Sequence, residues 1–488
     1  MDHVMKFSNS YIELGEAFYQ QCSPTPVANP ELFLWNAALA EQMAIPQELQ
    51  KDHAALAQYF SGNQLLAGSQ PIATAYAGHQ FGNFNPQLGD GRAHLLGELL
   101  DQQGKRWDLQ LKGSGTSRFS RGGDGRCAIG PAVREFIMSE AMQALGVPTT
   151  RCLAVTTTGE AVYREQAKPG AVVTRMASSH LRVGTFQFFA SRGDIESLQA
   201  LCEFAIVRHF DDIDGHASER YIQLLDRVID KQIQLVVEWM RVGFIHGVMN
   251  TDNTSICGET IDFGPCAMMG IYNPATAYSS IDTQGRYAFG NQPAIAQWNM
   301  ARFAESLLPL IDEQDQASID QLVALIQNFP ERYQTAYWHR MADKFGLLTA
   351  ETDDRELMTA ILEKMASLQL DYTISFNLLS QSLTDEQSRA NIATALGPDY
   401  DRWRQRLDNQ AGTTEAAEQT MRASNPLVIP RNHYIEAVLA SCEQSGDAAA
   451  ALEILDVVRH PYSAVAATAK YQQPPEDNDR GYQTFCGT

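Results

Sequence analysis

The chain has 488 residues, 44% of them apolar and 19% charged, the composition of a globular protein large enough for more than one lobe. Its 58 acidic residues against 37 basic ones give a net charge of −21, which opposes non-specific nucleic-acid binding, since that binding relies on Lys and Arg neutralising phosphates. There is no 18-residue apolar run to cross a membrane, and the N-terminal MDHVMKFSNSY has neither a signal-peptide core nor an Arg-rich transit character, so cytoplasm is the expected location.

Residues 1–70 mix short helical patterns with loops, broken early by Pro24, Pro26 and Pro30, and read as an N-terminal extension packed on a small lobe. Residues 71–180 have the β-rich, glycine-rich texture of a nucleotide-covering lobe. Ala93-His94-Leu95-Leu96 and Trp107 to Lys112 read as strands with a turn near Gly104. A helix comes next, with Pro131 near its first turn and Gly146 just past its end. Two more strands are expected at Ala161–Arg164 and Ala171–Arg175. From 181 to 455 the pattern is helical. Leu225, Val228, Ile229, Ile233, Val236 and Met240 share one face, and Gly243 ends that helix. Residues 456–488 form a tail whose QQPPEDND segment has the composition of a mobile chain. The eight cysteines are scattered and form no C-x-x-C pair, which argues against structural zinc and a disulfide framework.

The stretch HGVMNTDNTSICGETIDFG, His246 to Gly264, carries the chemistry. Thr254-Ser255-Ile256 and Thr260-Ile261 around a Cys257-Gly258-Glu259 turn predict a β-hairpin, bringing Asn253 and Asp262 together at its open end. One amide oxygen beside one carboxylate suits a hard divalent cation that also holds substrate phosphates. Protein kinases place their metals in this way, with a catalytic-loop Asn and the Asp of Asp-Phe-Gly. The kinase base, however, stands two residues after the His, and here that position is Val248. The nearest carboxylate is Asp252. Either the chain is a nucleotide-binding pseudokinase, or Asp252 is the base for a differently oriented substrate.

Further residues suit a polyphosphate. Lys112 ends a strand whose Leu109 and Leu111 face the other way, and Glu135 lies early in the next helix, as in the lysine–glutamate pair of a kinase small lobe. Gln87 to Arg92 (QLGDGR) and Gly122 to Arg126 (GGDGR) are turns that let backbone amides approach an anion. Neither has P-loop or Rossmann spacing. Arg175 and Arg182 flank Ser178-Ser179-His180 and either clamp phosphates or form ordinary surface pairs.

The runs YAGHQFGNFNPQLGDGRAHLLGE, LQLKGSGTSRFSRGGDGRCAIGPAVREFIMSEAMQALGVPTTR, TRMASSHLRVGTFQFF, HGVMNTDNTSICGETIDFGP and NPLVIPRNHYIEAVL resemble the selenoprotein O (YdiU) family over nearly the whole chain. The resemblance implies an α+β, protein-kinase-like fold of two lobes, a β-rich N-lobe and a mostly helical C-lobe with family-specific extensions. It also implies protein adenylyltransferase activity: ATP bound in reversed orientation, with AMP passing to Ser, Thr or Tyr hydroxyls of other proteins. Carried over motif by motif, Gly89, Gly91, Arg92, Lys112, Asp124, Gly125, Arg175, Arg182 and Asp262 would contact the nucleotide. Glu135 would support Lys112, Asn253 and Asp262 would hold Mg²⁺ or Mn²⁺, and Asp252 would accept the proton. The family's usual Asp-Tyr-Gly has Phe263 in its centre here, a conservative change. Animal members end in Cys-x-x-selenocysteine, whereas this chain ends Phe485-Cys486-Gly487-Thr488, so selenium chemistry is excluded. A redox role for Cys486 would require a second cysteine, with Cys266 as the candidate. A catalytically silent ATP-binding scaffold and an ordinary kinase are the competing expectations. The choices of ATP or UTP and of Mg²⁺ or Mn²⁺ stay open.

Overall fold

A computed structural model describes residues 5–311, 315–349 and 351–485. One sheet organises the first 180 of them. Its strands are β1 (Tyr19–Gln21), β2 (Glu31–Trp35), β3 (Ile72–Thr74), β6 (Ala93–Leu100), β7 (Arg106–Lys112), β8 (Cys127–Ala128), β9 (Arg151–Tyr163) and β10 (Ala167–Ala177), with β4 (Gly78–Gln80) and β5 (Asn83–Asn85) forming a separate hairpin. The order is β1-β3-β6-β7-β10-β9-β2, with β8 beside β10, and the pairing is antiparallel throughout. The strands expected near residues 93–96, 107–112, 161–164 and 171–175 are present, the third as the end of a longer strand from Arg151. Strands β1 and β2 are not foreseen from the sequence. They are short, lack a clean alternation, and form the two edges of the sheet.

Alternation along β7 sorts its side chains. Leu109 and Leu111 point into one apolar cluster with Leu56, Phe60, Leu96 and Val172. Gln110 and Lys112 point to the opposite face, where the helix Ile129–Ala144 packs its Val133, Phe136 and Ile137 with Val155 and Val173 in the larger core. That helix ends before Gly146, whose φ of +79° lies in the left-handed region that glycine enters without a Cβ penalty.

The helix Ala217–Val242 likewise stops at Gly243 (φ +77°), and the chain re-emerges as β11 (Phe244–Ile245). Phe244 pairs with Met268 and Ile245 with Ala267 of β12 (Ala267–Met268). This short ladder closes the whole His246–Cys266 loop at its base. The expected hairpin within 254–261 does not form. Ser255 instead bridges Arg182, and Thr260 bridges Thr149. The Ile256 amide donates to the Leu181 carbonyl at 3.1 Å and the Thr260 amide to the Pro148 carbonyl at 3.0 Å. Partners from distant segments have taken the backbone groups that a local ladder would have used. Beyond Gln292 the chain is helical, including the thirty-residue helix Gln316–Phe345 with Pro330 inside it.

Candidate active site

Between the sheet and the His246–Cys266 loop lies a cavity of about 680 Å³. Gly89, Gly91, Arg92, Lys112, Asp124, Gly125, Arg175, Arg182, Asp252, Asn253 and Asp262 all line it. Eleven of the twelve residues singled out in sequence, spread over 174 positions, thus meet in one place. The twelfth, Glu135, stands directly behind Lys112.

Lys112 Nζ lies 2.7 Å from Glu135 Oε2 and 3.0 Å from Asp262 Oδ1. The same Glu135 holds Arg175, whose Nη2 is 2.6 Å from Oε1. Glu135 is 2% exposed. Burial pushes its pKa up, but Arg175 and Lys112 outweigh that and hold it below the usual range. Arg175 is accordingly committed to the wall of the cavity, with a further contact from its Nη1 to Gln110 Oε1 at 3.3 Å. Asp262 behaves as Glu135 does. Burial opposes its charge, and Lys112, Arg175 and Arg92 together hold its carboxyl well below the ordinary value. Its backbone sits at φ +66°, a left-handed conformation uncommon for a residue with a Cβ.

The glycine-rich turns form one rim because both pack against the segment Gly115 to Ser120 between them. A Cβ on Gly89 (φ +101°) would fall 2.4 Å from the Phe119 ring, and one on Gly91 would fall 2.7 Å from the Phe119 carbonyl oxygen. A Cβ on Gly125 (φ +69°) would meet the Gly115 backbone at 2.3 Å. Asp124 accepts from Arg164 Nη1 at 2.7 Å and from the Arg126 amide at 2.9 Å. Arg164 is a cavity residue that the sequence did not single out. So are Tyr76 and Asp90. Arg182 lies 4.2 Å over the Tyr76 ring and 3.5 Å from Asp90 Oδ1. Asp90 stands inside the QLGDGR turn already identified, which was the available signal; Tyr76 and Arg164 carry none at the level of spacing.

His246 lies outside the cavity lining. Its Nδ1 accepts from the Val248 amide at 3.3 Å, which leaves Nε2–H to donate to the Ile261 carbonyl at 2.9 Å. One buried imidazole therefore ties the start of the loop to the residue before Asp262. Val248 lines the cavity where a kinase's base would come from the chain. Asp252 lines it too, and is buried. Its Oδ2 accepts from Gln80 Nε2 at 3.2 Å, while Oδ1, packed beside Gly78, has no hydrogen-bond partner among the described residues. Burial is the main force on its pKa, pushing it up to about 6 against the opposing charge of Arg182.

Asn253 Nδ2 donates to the Val248 carbonyl at 3.3 Å, so its amide oxygen is the group left for the cavity. With the ionised Asp262 carboxylate it supplies two hard oxygen donors. No cluster of three or more His, Cys, Asp or Glu suited to a metal is present among the described residues. Two protein oxygens fit a cation such as Mg²⁺, which takes its remaining ligands from water and phosphates. Cys266 is buried and bonds through Sγ to the Phe263 carbonyl at 3.2 Å, and burial pushes its thiol up to about 12. Cys486 lies outside the described residues.

A lysine pinned between two carboxylates, with arginines and glycine-rich turns lining the same cavity, has the chemistry to hold a polyphosphate. The class, nucleotidyltransferase, comes from comparison with known proteins. A family model described as protein adenylyltransferase SelO matches residues 3–459. The chain is 51% identical over 485 residues to the protein nucleotidyltransferase YdiU of Teredinibacter turnerae, covering 99% of this chain and 100% of that one. It is 50% identical over 488 residues to the protein of the same name from Anoxybacillus flavithermus, at full coverage of both. With that from Pseudoalteromonas translucida it shares 48% over 486 residues, 99% of this chain and 100% of the relative. The chain belongs to the protein adenylyltransferase SelO family.

Proposed function

We propose that this enzyme transfers AMP from ATP to Ser, Thr or Tyr hydroxyls of other proteins and releases pyrophosphate. In this reading the site is a protein-kinase-like cleft between an N-lobe (71–180) and a helical C-lobe (181–455). Residues 1–70 act as an extension of the first and 456–488 as a tail. ATP lies reversed relative to a kinase, with its α-phosphate at the reacting position.

The observation that carries this reading is Asp252. The position that supplies a kinase's base holds the inert Val248, while the carboxylate of Asp252 lines the same cavity. In the proposed step the acceptor hydroxyl gives its proton to Asp252, and its oxygen bonds to the α-phosphorus. The bond from that phosphorus to the bridging oxygen breaks, and pyrophosphate leaves with the electron pair. Lys112, held by Glu135, and Arg92, Arg175 and Arg182 offset the negative charge of the polyphosphate. Asn253 and Asp262 would hold Mg²⁺ or Mn²⁺, which supplies charge neutralisation at the phosphates. Gly89, Gly91, Asp124 and Gly125 shape the rim along which the nucleotide lies.

The test uses purified protein with divalent metal and a mixed bacterial extract, in parallel with α-³²P-ATP and γ-³²P-ATP. Label entering protein only from the α position is the expected result. Label only from the γ position would make this a kinase, and no label with ATP binding intact would make it a scaffold. An α-³²P-UTP arm decides which nucleotide the enzyme prefers.

A further inference from the structure

Asp252 is also held by a segment that lines the cavity but is not among the proposed nucleotide contacts. The hairpin β4–β5 pairs Gly78 with Asn85, His79 with Phe84 and Gln80 with Asn83. Its two central residues, Phe81 (φ +50°) and Gly82 (φ +84°), both lie in the left-handed region, the geometry of a tight two-residue hairpin turn. Three consecutive hairpin residues grip three consecutive loop residues. The His79 amide donates to Thr251 Oγ1 at 2.7 Å, the Phe81 amide donates to Asn250 Oδ1 at 3.0 Å, and between them Gln80 Nε2 donates to Asp252 Oδ2 at 3.2 Å.

The rest of the network makes this grip rigid. Thr251 Oγ1 donates onward to Gln187 Oε1 at 2.7 Å, and Gln187 Nε2 meets His79 Nδ1 at 2.9 Å. Tyr287 donates its hydroxyl to Asn250 Oδ1 at 2.8 Å. Gly78 lies so close to the loop that a Cβ there would stand 2.7 Å from Asp252 Oδ1. Strand alternation turns His79 toward Gln187 and Gln80 into the cavity. The Gln80 side-chain donor is the one contact of the three that touches the carboxylate itself.

We infer that Gln80 is a positioning residue for transfer: it engages Oδ2 of Asp252 and, with Gly78 packed against Oδ1, fixes the plane of the carboxylate that meets the acceptor hydroxyl. The inference rests on the reading of Asp252 as proton acceptor. An unanchored aspartate rotates about two side-chain bonds, and a base must meet its proton within hydrogen-bond reach in one orientation. Gln80 touches neither the lysine cluster nor the glycine rim. Its removal should therefore leave nucleotide binding alone and act on the chemical step.

Gln80→Met keeps the length and packing of the side chain and removes the donor; Gln80→Glu keeps the length and puts a second acceptor against the first. Initial rates of label transfer from α-³²P-ATP, at a fixed concentration of bacterial extract, give kcat and KM for ATP. ATP-dependent thermal stabilisation reports binding. For Gln80→Met, kcat should fall roughly 10–100-fold, the scale of a misplaced catalytic group. Its KM for ATP and its thermal stabilisation should stay within about twofold of the parent's, since nucleotide contacts are unchanged. Gln80→Glu should be slower still. A residue that merely supported the fold would move binding and stability together with rate. Wild-type kcat in Gln80→Met, while Asp252→Asn is inactive, would overturn this inference alone. Wild-type transfer by Asp252→Asn would overturn it together with the base assignment beneath it.

Discussion

Exchanging Glu135 for glutamine removes one negative charge from between two cations and leaves the size of the side chain unchanged. In the parent, Glu135 meets Lys112 at 2.7 Å and Arg175 at 2.6 Å, and is itself 2% exposed. Afterwards Lys112 still has Asp262 at 3.0 Å, but among the described residues Arg175 keeps only the amide oxygen of Gln110 at 3.3 Å. Breaking a buried ion pair from one side costs about 3–5 kcal/mol, chiefly because the remaining charge stays desolvated. One of the two cations retains a carboxylate, which puts the loss near the lower end, about 3 kcal/mol. That is a large share of a stability of roughly 5–15 kcal/mol. Urea unfolding followed by tryptophan fluorescence should therefore show a lower midpoint at an unchanged slope. The same variant should gain less stability than the parent from a given concentration of Mg²⁺-ATP, because its lysine is no longer pinned toward the phosphates. Transfer from α-³²P-ATP should fall at least about tenfold. An unfolding free energy within about 0.5 kcal/mol of the parent's, with equal ATP stabilisation, would refute the reasoning, since that is the range of an ordinary surface substitution.

Asp252→Asn should lose about 10²–10⁴-fold in transfer rate while binding ATP as the parent does, measured by label incorporation and by thermal shift. Asp262→Asn removes a carboxylate donor and one partner of Lys112. The added stabilisation that Mg²⁺ or Mn²⁺ gives in the presence of ATP should disappear, and persistence of that metal-dependent increment would count against Asp262 as a ligand. A pH effect is expected from His94, fully buried with Nδ1 2.7 Å from Ser114 Oγ. Burial pushes its pKa down to about 4, with Asp90 opposing. Between pH 6.5 and about 4 the unfolded chain takes up a proton that the folded one refuses, so stability falls as pH drops through that window. From pH 7.5 to 5 this amounts to about 2 kcal/mol. Unfolding free energies at the two pH values should differ less in His94→Gln than in the parent, and equal differences would exclude His94 as the source.

Much of this enzyme is legible in the chain itself, wherever the deciding interactions are local. Alternation along Trp107 to Lys112 separates Leu109 and Leu111 from Gln110 and Lys112, because successive strand residues face opposite sides. Gly146 and Gly243 mark helix ends because their positive φ is cheap only without a Cβ. The order Lys112, Glu135, Asp252, Asn253, Asp262 is enough to suggest a nucleotide site, and long family motifs identify the relatives.

Tertiary structure decided what depends on competition between distant partners. Thr254–Ile261 has the composition of a hairpin, yet its backbone groups are drawn off by Leu181, Arg182, Pro148 and Thr149, and the loop is closed further out by Phe244–Ile245 against Ala267–Met268. Arg175 and Arg182 look equivalent in sequence. Folded, Arg175 is committed to Glu135, while Arg182 stacks on Tyr76 beside Asp90. Gln80 lies within a family motif, but its role is not legible there, because its contact with Asp252 spans 172 positions and exists only once the hairpin is laid against the loop. Spacing records neighbours along the chain. The burial of Asp252 beside Gly78 and the donor on its Oδ2 are set by neighbours in space, and only folding brings those together.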